Sequence, residues 1–411
     1  MRRKGNGVVA QSGGPTAVIN NSLCGVIQGW LNNNFEGMLL GAVHGIRGVL
    51  EEDFIDLSRQ KRETIKGLRF TPGSALGSCR YKLKEEDYRK LLNVFQKNDI
   101  RFFFYIGGND SMDTANRVHQ LAMEENYEMT VVGIPKTIDN DLPCTDHCPG
   151  YGSAAKFLAA TVLETGIDLK GVLNNNRIKL LEVMGRNAGW LAASTALAKR
   201  AEEDAPHLIY LPEVPFSKEQ FLLDVQKTYN KLGYAYIVVS EGIVDKSGRY
   251  IVSSSSRDSF GHRELGGLAG VLKELIENEV GIKVRCNVLG TAQRSAMHFA
   301  SRTDADEAYM AGEEAVRLAA RGESGFMVTF IRDEGLEYNC STGKVELDRV
   351  ANVEKKVPVE WINADHNFVN EKFIRYARPL IQGEVVVPTR DGLPDYRELE
   401  KLTDTLYAAK S

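Results

Sequence analysis

The sequence predicts an α/β protein of the doubly wound class, and three observations support this prediction. First, several segments share one order of elements, in which an apolar strand is followed by a glycine-rich turn and then by a helix. Second, these strands are apolar throughout, which is typical of a parallel sheet covered on both faces. Third, polar clusters follow the strands, and open α/β sheets bind ligands at the carboxyl ends of their strands.

The individual elements can be read from local patterns. The strand–turn–helix segments are residues 6–31, 100–125 and 177–200, and residues 234–242 form a further strand with a polar tip. A helical pattern spans residues 367–383, and the run of four serines at 253–256 predicts a loop.

Two further helices are predicted from their capping residues. One begins at Ser217, with Gln220 in capping-box spacing, and ends at Gly233. The other begins at Thr303 or Asp304 and ends at a glycine. Both helices are predicted to be scaffold.

Composition excludes several classes of protein. The 411 residues are 43% hydrophobic and 26% charged, with a net charge of −4, which fits a soluble globular protein and not a general nucleic-acid binder. The basic start lacks the apolar region of a secretory signal, and no stretch of about 18 apolar residues could span a membrane. We therefore expect a cytoplasmic protein with no nucleic-acid or membrane partner.

The six cysteines are scattered, and only Cys144 and Cys148, in "CTDHC", lie close together. With His147 they could form half of a zinc site, but no second Cys/His pair has a fitting spacing. Reduced thiols in a cytosolic loop are the preferred interpretation.

Two glycine-rich loops follow the first two strand segments. In "SGGPT", Gly13 and Gly14 allow the backbone to approach an anion, although such a turn can also be a simple tight connection. In "GGNDS", Asn109, Asp110 and Ser111 offer oxygen ligands for Mg²⁺. The alternative is that Asp110 or Ser111 only caps the following helix.

The stretch "PKTIDND" is the most informative one. Asp139 and Asp141 lie two residues apart, and Lys136 and Thr137 precede them. An aspartate can accept the proton of an attacking hydroxyl, and a lysine can neutralise a phosphoryl group in transfer. An Asx-rich turn without catalytic function is the alternative interpretation.

Arginines and one glutamate stand near strand ends or glycine turns. They are Arg80, Arg177, Arg186, Arg285, Arg294 and Glu241. Guanidinium groups bind phosphate in bidentate fashion, whereas a carboxylate could accept sugar hydroxyls. Surface arginines and a salt bridge are the alternatives. Together, the motifs predict a phosphoryl-transfer enzyme with a small anionic substrate.

The motifs "SGGPT", "GGNDS", "PKTIDND", "EVMGR", "SEG" and "LGTAQR", in this order, resemble the phosphofructokinase family between about residues 7 and 320. The variant resembles its pyrophosphate-dependent branch. The resemblance implies two doubly wound, Rossmann-like domains with the active site in the cleft between them. The implied divisions are residues 1–150 with about 293–350 for the donor, 151–292 for the sugar phosphate, and a helical segment at 351–411 that packs on the core.

The resemblance also implies an activity and its partners. Pyrophosphate would phosphorylate fructose 6-phosphate reversibly to fructose 1,6-bisphosphate, with Mg²⁺ as cofactor. Because some arginines of the family reach into a neighbouring subunit, a homodimer or homotetramer is implied.

Residue roles follow from the same resemblance. The implied catalytic residues are Asp139 as base, Lys136, Asp110 and Arg186. The implied donor-binding residues are Gly13, Gly14, Arg80, Gly108, Asp110 and Lys136. The implied substrate-binding residues are Thr137, Ile138, Asp139, Arg177, Met184, Gly185, Arg186, Glu241, Arg285, Thr291 and Arg294. Asn109 and Asp110 would hold the metal, with help from Asp141.

Two positions distinguish the phosphoryl donor. ATP-using relatives resemble "GGDGS" and "PGTIDND", so Asp110 and Lys136 each stand in place of a glycine. A carboxylate would fill the space of the α-phosphate of ATP, and two charges about 4 Å apart repel by roughly 4 kcal/mol at an effective dielectric near 20. That energy corresponds to an affinity for ATP that is weaker by about a thousandfold. Pyrophosphate has no third phosphate group to clash, and Lys136 can neutralise it.

Some positions depart from the family pattern. Asn109 stands where an acidic metal ligand is usual, and Thr291 stands where many relatives have histidine or tyrosine. The first helix carries no basic residue, which predicts no allosteric response to ADP or phosphoenolpyruvate. In the tail, Tyr376 and Arg378 could reach the sugar phosphate or could belong to a packing helix.

Three rival functions give different expectations. An ATP-dependent 6-phosphofructokinase would keep the acceptor and change the donor. An NAD-binding oxidoreductase would need G-x-G-x-x-G, which neither glycine loop matches, and a following acidic residue. A non-catalytic sugar-phosphate sensor would have no use for a base at Asp139.

Overall fold

The structure is a computed structural model that describes residues 4–172, 177–252, 265–335, 337–351 and 353–401. The serine run at 253–256, predicted to form a loop, lies outside the described residues. Within the described ranges, no helix combines the length and the apolar character that crossing a membrane would require.

The strands, numbered in chain order, are β1 (Asn6–Gln11), β2 (Leu39–Ala42), β3 (Phe54–Asp56), β4 (Ile100–Gly107), β5 (Thr130–Pro135), β6 (Ile178–Val183), β7 (Leu208–Tyr210), β8 (Ala235–Ser240), β9 (Val284–Val288), β10 (Phe326–Arg332), β11 (Cys340–Glu346), β12 (Thr389–Arg390) and β13 (Leu393–Pro394). The helices are α1 (Ile19–Asn32), α2 (Gly45–Leu50), α3 (Arg62–Leu68), α4 (Glu85–Lys97), α5 (Asn109–Glu124), α6 (Tyr151–Gly171), α7 (Trp190–Ser194), α8 (Lys218–Leu232), α9 (Leu268–Glu279), α10 (Ala292–Ser295), α11 (Arg302–Ala320) and α12 (Glu371–Ala377).

The larger sheet has seven strands in the order β11-β10-β5-β4-β1-β2-β3. Its central strands β1, β4 and β5 are mainly apolar and buried on both faces, whereas the edge strand β11 is polar and partly exposed. Val8 and Phe103 point into one core, with α4 and α5, while Val9 and Phe104 point into the other, with α1 and α11. The prediction of a parallel sheet covered on both faces is confirmed for its centre.

Both edges of this sheet are antiparallel, which the strand pattern did not predict. β3 pairs antiparallel with β2, and β11 pairs antiparallel with β10. An antiparallel edge strand on an otherwise parallel sheet is common, because an edge strand can be joined by a short connection instead of a crossover helix.

The smaller sheet has four parallel strands in the order β7-β8-β6-β9 and is also covered on both faces. Its strands come from residues 178–288, whereas those of the larger sheet come from residues 6–135 and 326–346. This distribution agrees with a discontinuous first domain, and the exact domain boundaries stay a prediction.

Helix capping was predicted correctly in one case. At α8, the Ser217 side chain accepts the backbone N–H of Gln220, and Gly233 ends the helix in the left-handed conformation. The side chain of Gln220 does not complete the capping box, because it donates to Asp224.

The expected start of α11 was wrong, and the alternative interpretation of Asp110 or Ser111 as a helix cap does not hold. Ser301, not Thr303 or Asp304, caps α11, since its hydroxyl accepts the backbone N–H of Asp304. Gly108 is the N-cap of α5 and no side chain caps that helix, so Asp110 lies in the first turn and is not a cap.

The C-terminal part is helical only over a short stretch. The helical pattern at 367–383 yields α12 and a 3-10 turn, Arg378–Ile381. The rest of the described tail contains proline and glycine residues, and it has a second 3-10 turn, Val359–Trp361, and the short β12–β13 hairpin.

Candidate active site

One cavity of about 490 Å³ lies where loops after β1, β4 and β5 meet loops after β6 and β8. This volume suits a ligand the size of a sugar phosphate with a small donor. The predicted site residues that line it are Gly13, Gly14, Arg80, Gly108, Asn109, Asp110, Lys136, Thr137, Ile138, Asp139, Asp141, Met184, Arg186, Glu241 and Arg294. Their convergence from distant parts of the sequence follows from the shared direction of the parallel strands.

Four predicted residues do not line this cavity. Arg177 directly precedes β6, and Arg285 lies near the start of β9, so both stand at the amino ends of strands, opposite the cleft. Thr291 is exposed at the start of α10. The roles implied for the two arginines, which the resemblance allows to act across a subunit interface, stay predictions, as does the role of Thr291.

Gly185 is the fourth and contributes through its backbone. Its φ is +137°, and a Cβ there would lie 2.7 Å from the carbonyl oxygen of Ala188. Its N–H points to Glu241 Oε1 at 3.4 Å, and its carbonyl accepts the Ser240 hydroxyl at 2.6 Å. Only glycine fits this bend, which carries Met184 and Arg186 into the cleft.

The "TIDND" loop follows β5, and the side chain of Asn140 anchors it to the protein interior. Asn140 is fully buried, and its backbone is left-handed, with φ of +54°. Its side chain accepts the N–H of Cys148 at 3.0 Å and donates to the Tyr376 hydroxyl at 2.7 Å. This anchoring turns the neighbouring aspartates, Asp139 and Asp141, towards the cavity. The turn predicted as the alternative interpretation is therefore present, but it presents the carboxylates to the cleft.

Both aspartates have a raised pKa. For Asp139 the main cause is burial, followed by repulsion from Glu241, while Arg186 and Lys136 act in the opposite direction. For Asp141 the causes are burial and then Asp139 itself. A carboxylate with a raised pKa is a stronger base, which suits acceptance of a proton from a hydroxyl.

Lys136 is buried on the donor side of the cavity. Its Nζ donates to the carbonyl oxygen of Gly14 at 2.7 Å. Burial, followed by repulsion from Arg294, lowers its pKa to about 8. A Cβ on Gly14 would lie 2.5 Å from Nη1 of Arg294. The side chains of Lys136 and Arg294 therefore lie beside the exposed backbone of Gly14. Two cations next to an accessible backbone form a site that suits a compact anion.

These pKa shifts predict a pH profile with two limbs. Activity on the acid side should fall as pH drops through the pKa of the aspartates, which burial raises above the ordinary value near 3.9. Affinity for the anionic donor should weaken as pH rises through about 8, where Lys136 loses its charge. We expect Lys136→Met to abolish the alkaline limb and to move the acid limb to higher pH, because Lys136 holds the pKa of Asp139 down. Steady-state kcat/KM across the pH range tests both statements, and an alkaline limb unchanged in the variant would contradict the second.

The "GGNDS" loop offers a site that fits Mg²⁺. Oδ1 of Asn109 is buried and has no hydrogen-bond partner among the described residues, and Asp110 lies beside it at the cavity wall. A buried acceptor without a donor is costly unless a ligand satisfies it. Hard oxygen ligands of this kind match the coordination preference of Mg²⁺.

Among the described residues, the ligand atoms of Cys144, His147 and Cys148 in the "CTDHC" segment do not cluster as a metal site would require. All six cysteines are free thiols, Cys148 is buried, and Cys144 is exposed. Both ring nitrogens of His147 pair with carboxylates, Nδ1 with Asp146 at 2.8 Å and Nε2 with Glu307 at 2.7 Å. The preferred interpretation, reduced thiols, agrees with these contacts.

One other cluster of side chains could be considered as a metal site. Among the described residues, it is the one group of three or more His, Cys, Asp or Glu side chains whose potential metal-ligand atoms lie within 4.8 Å of one another, and it consists of His147, Glu307 and Cys340. Burial disfavours a charge on His147, but Glu307 and Asp146 outweigh burial and raise its pKa. Burial raises the pKa of the Cys340 thiol to about 12. A doubly hydrogen-bonded imidazolium and a neutral thiol are poor metal ligands.

Sequence reasoning missed two contributions of the C-terminal part. Glu354 lines the cavity. Tyr376 does not line it, and its hydroxyl instead donates to the carbonyl oxygen of Asp146 at 2.8 Å and accepts from Asn140. Arg378 is exposed outside the cavity. A tyrosine or glutamate far along the chain carries no local signal of such contacts.

Comparison with known proteins agrees with this geometry. The protein-family model described as Phosphofructokinase matches residues 6–319. The chain belongs to the phosphofructokinase family. It is 45% identical to a pyrophosphate–fructose 6-phosphate 1-phosphotransferase from Methylococcus capsulatus, over 95% of both chains. It is 43% identical to a protein of the same name from Halomonas elongata, over 96% of both chains.

A solved phosphofructokinase is similar along almost the whole chain. The crystal structure of a pyrophosphate-dependent phosphofructokinase from Nitrosospira multiformis superposes with a TM-score of 0.89 at 40% identity, over 97% of both chains. The predicted fold, two doubly wound, Rossmann-like domains of phosphofructokinase type, is thereby confirmed. The similarity continues beyond residue 320, so the C-terminal part belongs to the shared fold of these relatives.

Proposed function

We propose that this phosphofructokinase transfers a phosphoryl group from pyrophosphate to the 1-hydroxyl of fructose 6-phosphate. The products are fructose 1,6-bisphosphate and phosphate. The observation that carries the proposal is that a buried lysine and, three residues later, a half-buried aspartate line the same cavity. Nζ of Lys136 donates a hydrogen bond to the carbonyl oxygen of Gly14 in the proposed donor loop, and Asp139 lines the same cavity.

The chemistry can be assigned to atoms of the site. The hydroxyl oxygen of the sugar forms a bond to one phosphorus of pyrophosphate, and the bridging P–O bond breaks with its electron pair on the leaving phosphate. Asp139 takes the hydroxyl proton, and Lys136 and Arg186 offset the charge of the phosphoryl group. One phosphoanhydride is exchanged for one phosphate ester, so the reaction can run in both directions.

The metal of this reaction is proposed to be Mg²⁺, held by Asn109 and Asp110. When bound, it would neutralise donor oxygens. Because Asn109 contributes no charge, its amide oxygen is a weak ligand compared with a carboxylate, and Asp110 carries more of the binding.

Substitution of Asn109 should change the metal requirement. Asn109→Ala removes the buried amide oxygen and should raise the Mg²⁺ concentration for half-maximal activity by about tenfold or more, as loss of a group in a metal site usually does. Asn109→Asp adds a charge and should lower that concentration. Mg²⁺ titrations at saturating substrates measure both, and equal requirements in all three proteins would contradict the assignment.

Regulation is proposed to be absent. α1 ends without a basic residue in its last turn, and none of its residues is basic, so it offers no cation to an anionic effector. We expect hyperbolic saturation with fructose 6-phosphate and no effect of ADP or phosphoenolpyruvate. Initial-rate curves test this, and a sigmoidal curve that ADP relieves would contradict it.

The assembly is proposed to be a homodimer or homotetramer in the cytoplasm. Arg177 and Arg285 stand away from the cleft of their own chain, and Nε of Arg177 is buried without a hydrogen-bond partner among the described residues. Both would serve the sugar phosphate of a neighbouring copy. Sedimentation equilibrium tests this arrangement, and a monomer with full activity would refute it.

Product analysis tests the reaction itself. Phosphorus NMR of a mixture of protein, Mg²⁺, pyrophosphate and fructose 6-phosphate should show one phosphate and one fructose 1,6-bisphosphate formed for each pyrophosphate consumed. Two phosphates for each pyrophosphate, without any sugar bisphosphate, would identify a pyrophosphatase instead and refute the proposal.

A further inference from the structure

A short segment of the C-terminal part crosses the mouth of the cleft. We call residues 353–357 the strap. The N–H of Lys355 donates to the carbonyl oxygen of Asp141 at 2.6 Å, and its carbonyl oxygen accepts Nε1–H of Trp190 at 3.0 Å. Asp141 follows β5 of the larger sheet, and Trp190 begins α7 after β6 of the smaller one. The strap is therefore fixed to both walls of the cleft.

Further contacts hold the strap in place. Nζ of Lys355 donates to the carbonyl oxygens of Thr145 at 3.1 Å and Asp146 at 2.8 Å. The N–H of Val357 donates to Oε1 of Glu213 at 3.0 Å, and the Val357 side chain is buried. A short segment with this many anchors has a defined backbone, so the position of Glu354 within it is also defined.

The carboxylate of Glu354 is oriented before any substrate arrives. Its Oε1 accepts Nδ2–H of Asn187 at 2.7 Å, and Oδ1 of Asn187 accepts the Tyr250 hydroxyl at 2.8 Å. Asn187 follows Arg186 in the loop after β6 and also lines the cavity. Among the described residues, no hydrogen bond to Oε2 of Glu354 is seen, so this oxygen can accept a donor from a ligand.

The charges around the cavity restrict what that ligand can be. Arg80, Lys136 and Arg294 line the donor part of the cavity and suit phosphate groups. A carboxylate repels phosphate, so Glu354 requires a hydrogen-bond donor instead. Glu354 lies close enough to Asp139 to raise the pKa of that aspartate, so the donor must sit near the base. A hydroxyl of the sugar meets both conditions.

We propose that Glu354 accepts a hydrogen bond from a hydroxyl of the sugar phosphate and so contributes to the choice of acceptor. This inference rests on the proposed function. It gives the strap a role in substrate recognition, and it places a substrate-binding residue in a part of the chain outside the motifs of the sequence analysis.

The test compares Glu354→Gln with Glu360→Gln, a matched change at an exposed glutamate that does not line the cavity. Fructose 6-phosphate is titrated calorimetrically onto each protein without donor, and steady-state constants are measured separately. Glu354→Gln should raise Kd and KM for fructose 6-phosphate by about tenfold or more, as expected for loss of a charge-assisted hydrogen bond. KM for pyrophosphate should not change, and Glu360→Gln should behave as wild type. Asn187→Ala should raise the same Kd by a smaller factor.

Three results would overturn the inference. The first is an unchanged Kd for fructose 6-phosphate in Glu354→Gln. The second is a change confined to pyrophosphate or Mg²⁺, which would place Glu354 at the donor. The third is an acid limb of the pH profile that moves to lower pH in Glu354→Gln while Kd stays unchanged. That result would make the role of Glu354 purely electrostatic. Absence of turnover in wild type would instead refute the proposed function, and the calorimetric comparison would still decide the role of Glu354.

Discussion

The double variant Asp110→Gly with Lys136→Gly is expected to accept ATP and to lose most of its activity with pyrophosphate. Removal of the Asp110 carboxylate opens the space of an inner nucleotide phosphate and removes a repulsive charge. Removal of Lys136 deletes the buried cation that faces Gly14. Rates with each donor, at equal fructose 6-phosphate and Mg²⁺, measure the change.

The structure bounds how large the effect of Asp110 can be. Asp110 lines the cavity but is exposed, so water screens its charge more than it would a buried one. At about 4 Å the repulsion then lies between roughly 1 kcal/mol in water and roughly 4 kcal/mol at an effective dielectric near 20. Admission of ATP should therefore improve by a factor between about 5 and about 1,000.

Single variants separate the contributions in this experiment. Asp110→Asn keeps the size and removes the charge, so it should recover only the electrostatic part of the ATP discrimination. Lys136→Gly alone should impair pyrophosphate use and leave ATP excluded. A double variant that still rejects ATP would show that these two positions do not select the donor.

The second large effect is expected for Asp139→Asn. The amide has the same shape but cannot take the hydroxyl proton, so kcat should fall by about 10²–10⁴-fold. Affinity for fructose 6-phosphate should change little, because the amide keeps the size and the hydrogen-bonding geometry of the half-buried carboxylate. Rates in the forward direction and calorimetric titration of fructose 6-phosphate give the two quantities.

Whether Asp139→Asn loses rate or affinity for fructose 6-phosphate decides between an enzyme and a non-catalytic sensor. An unchanged rate would remove Asp139 from the mechanism. A large loss of affinity with an unchanged kcat would assign it to binding only. The acid limb of the pH profile should also weaken in Asp139→Asn, since the variant no longer has the group with the raised pKa.

The fold and the cleft were largely predictable because they depend on local patterns. Apolar strands such as β1 and β4 pack both faces, as their composition requires, and the glycine loops after them mark the carboxyl ends where ligands bind. Parallel strands then bring those loops together whatever the exact order of strands. This is why Gly14, Asp110 and Asp139, which follow β1, β4 and β5 of one sheet, could be expected at the same edge.

Two kinds of feature could not be predicted: the choice among neighbouring residues of equal propensity, and contacts between residues far apart in the sequence. Ser301 caps α11 because its hydroxyl happens to reach Asp304 N–H, although both neighbouring candidates are equally good capping types. The bond between Asn140 and Tyr376 joins residues 236 positions apart. Glu354 looks like any surface glutamate in the sequence, and only the anchors of the strap bring it to the cleft.

The most direct test of the donor assignment is a coupled assay that compares pyrophosphate with ATP at matched fructose 6-phosphate and Mg²⁺. Because a carboxylate at position 110 and an ammonium group at position 136 line the donor side of the cavity, we expect turnover with pyrophosphate and at most a small fraction of it with ATP. Appreciable turnover with ATP and none with pyrophosphate would contradict the account.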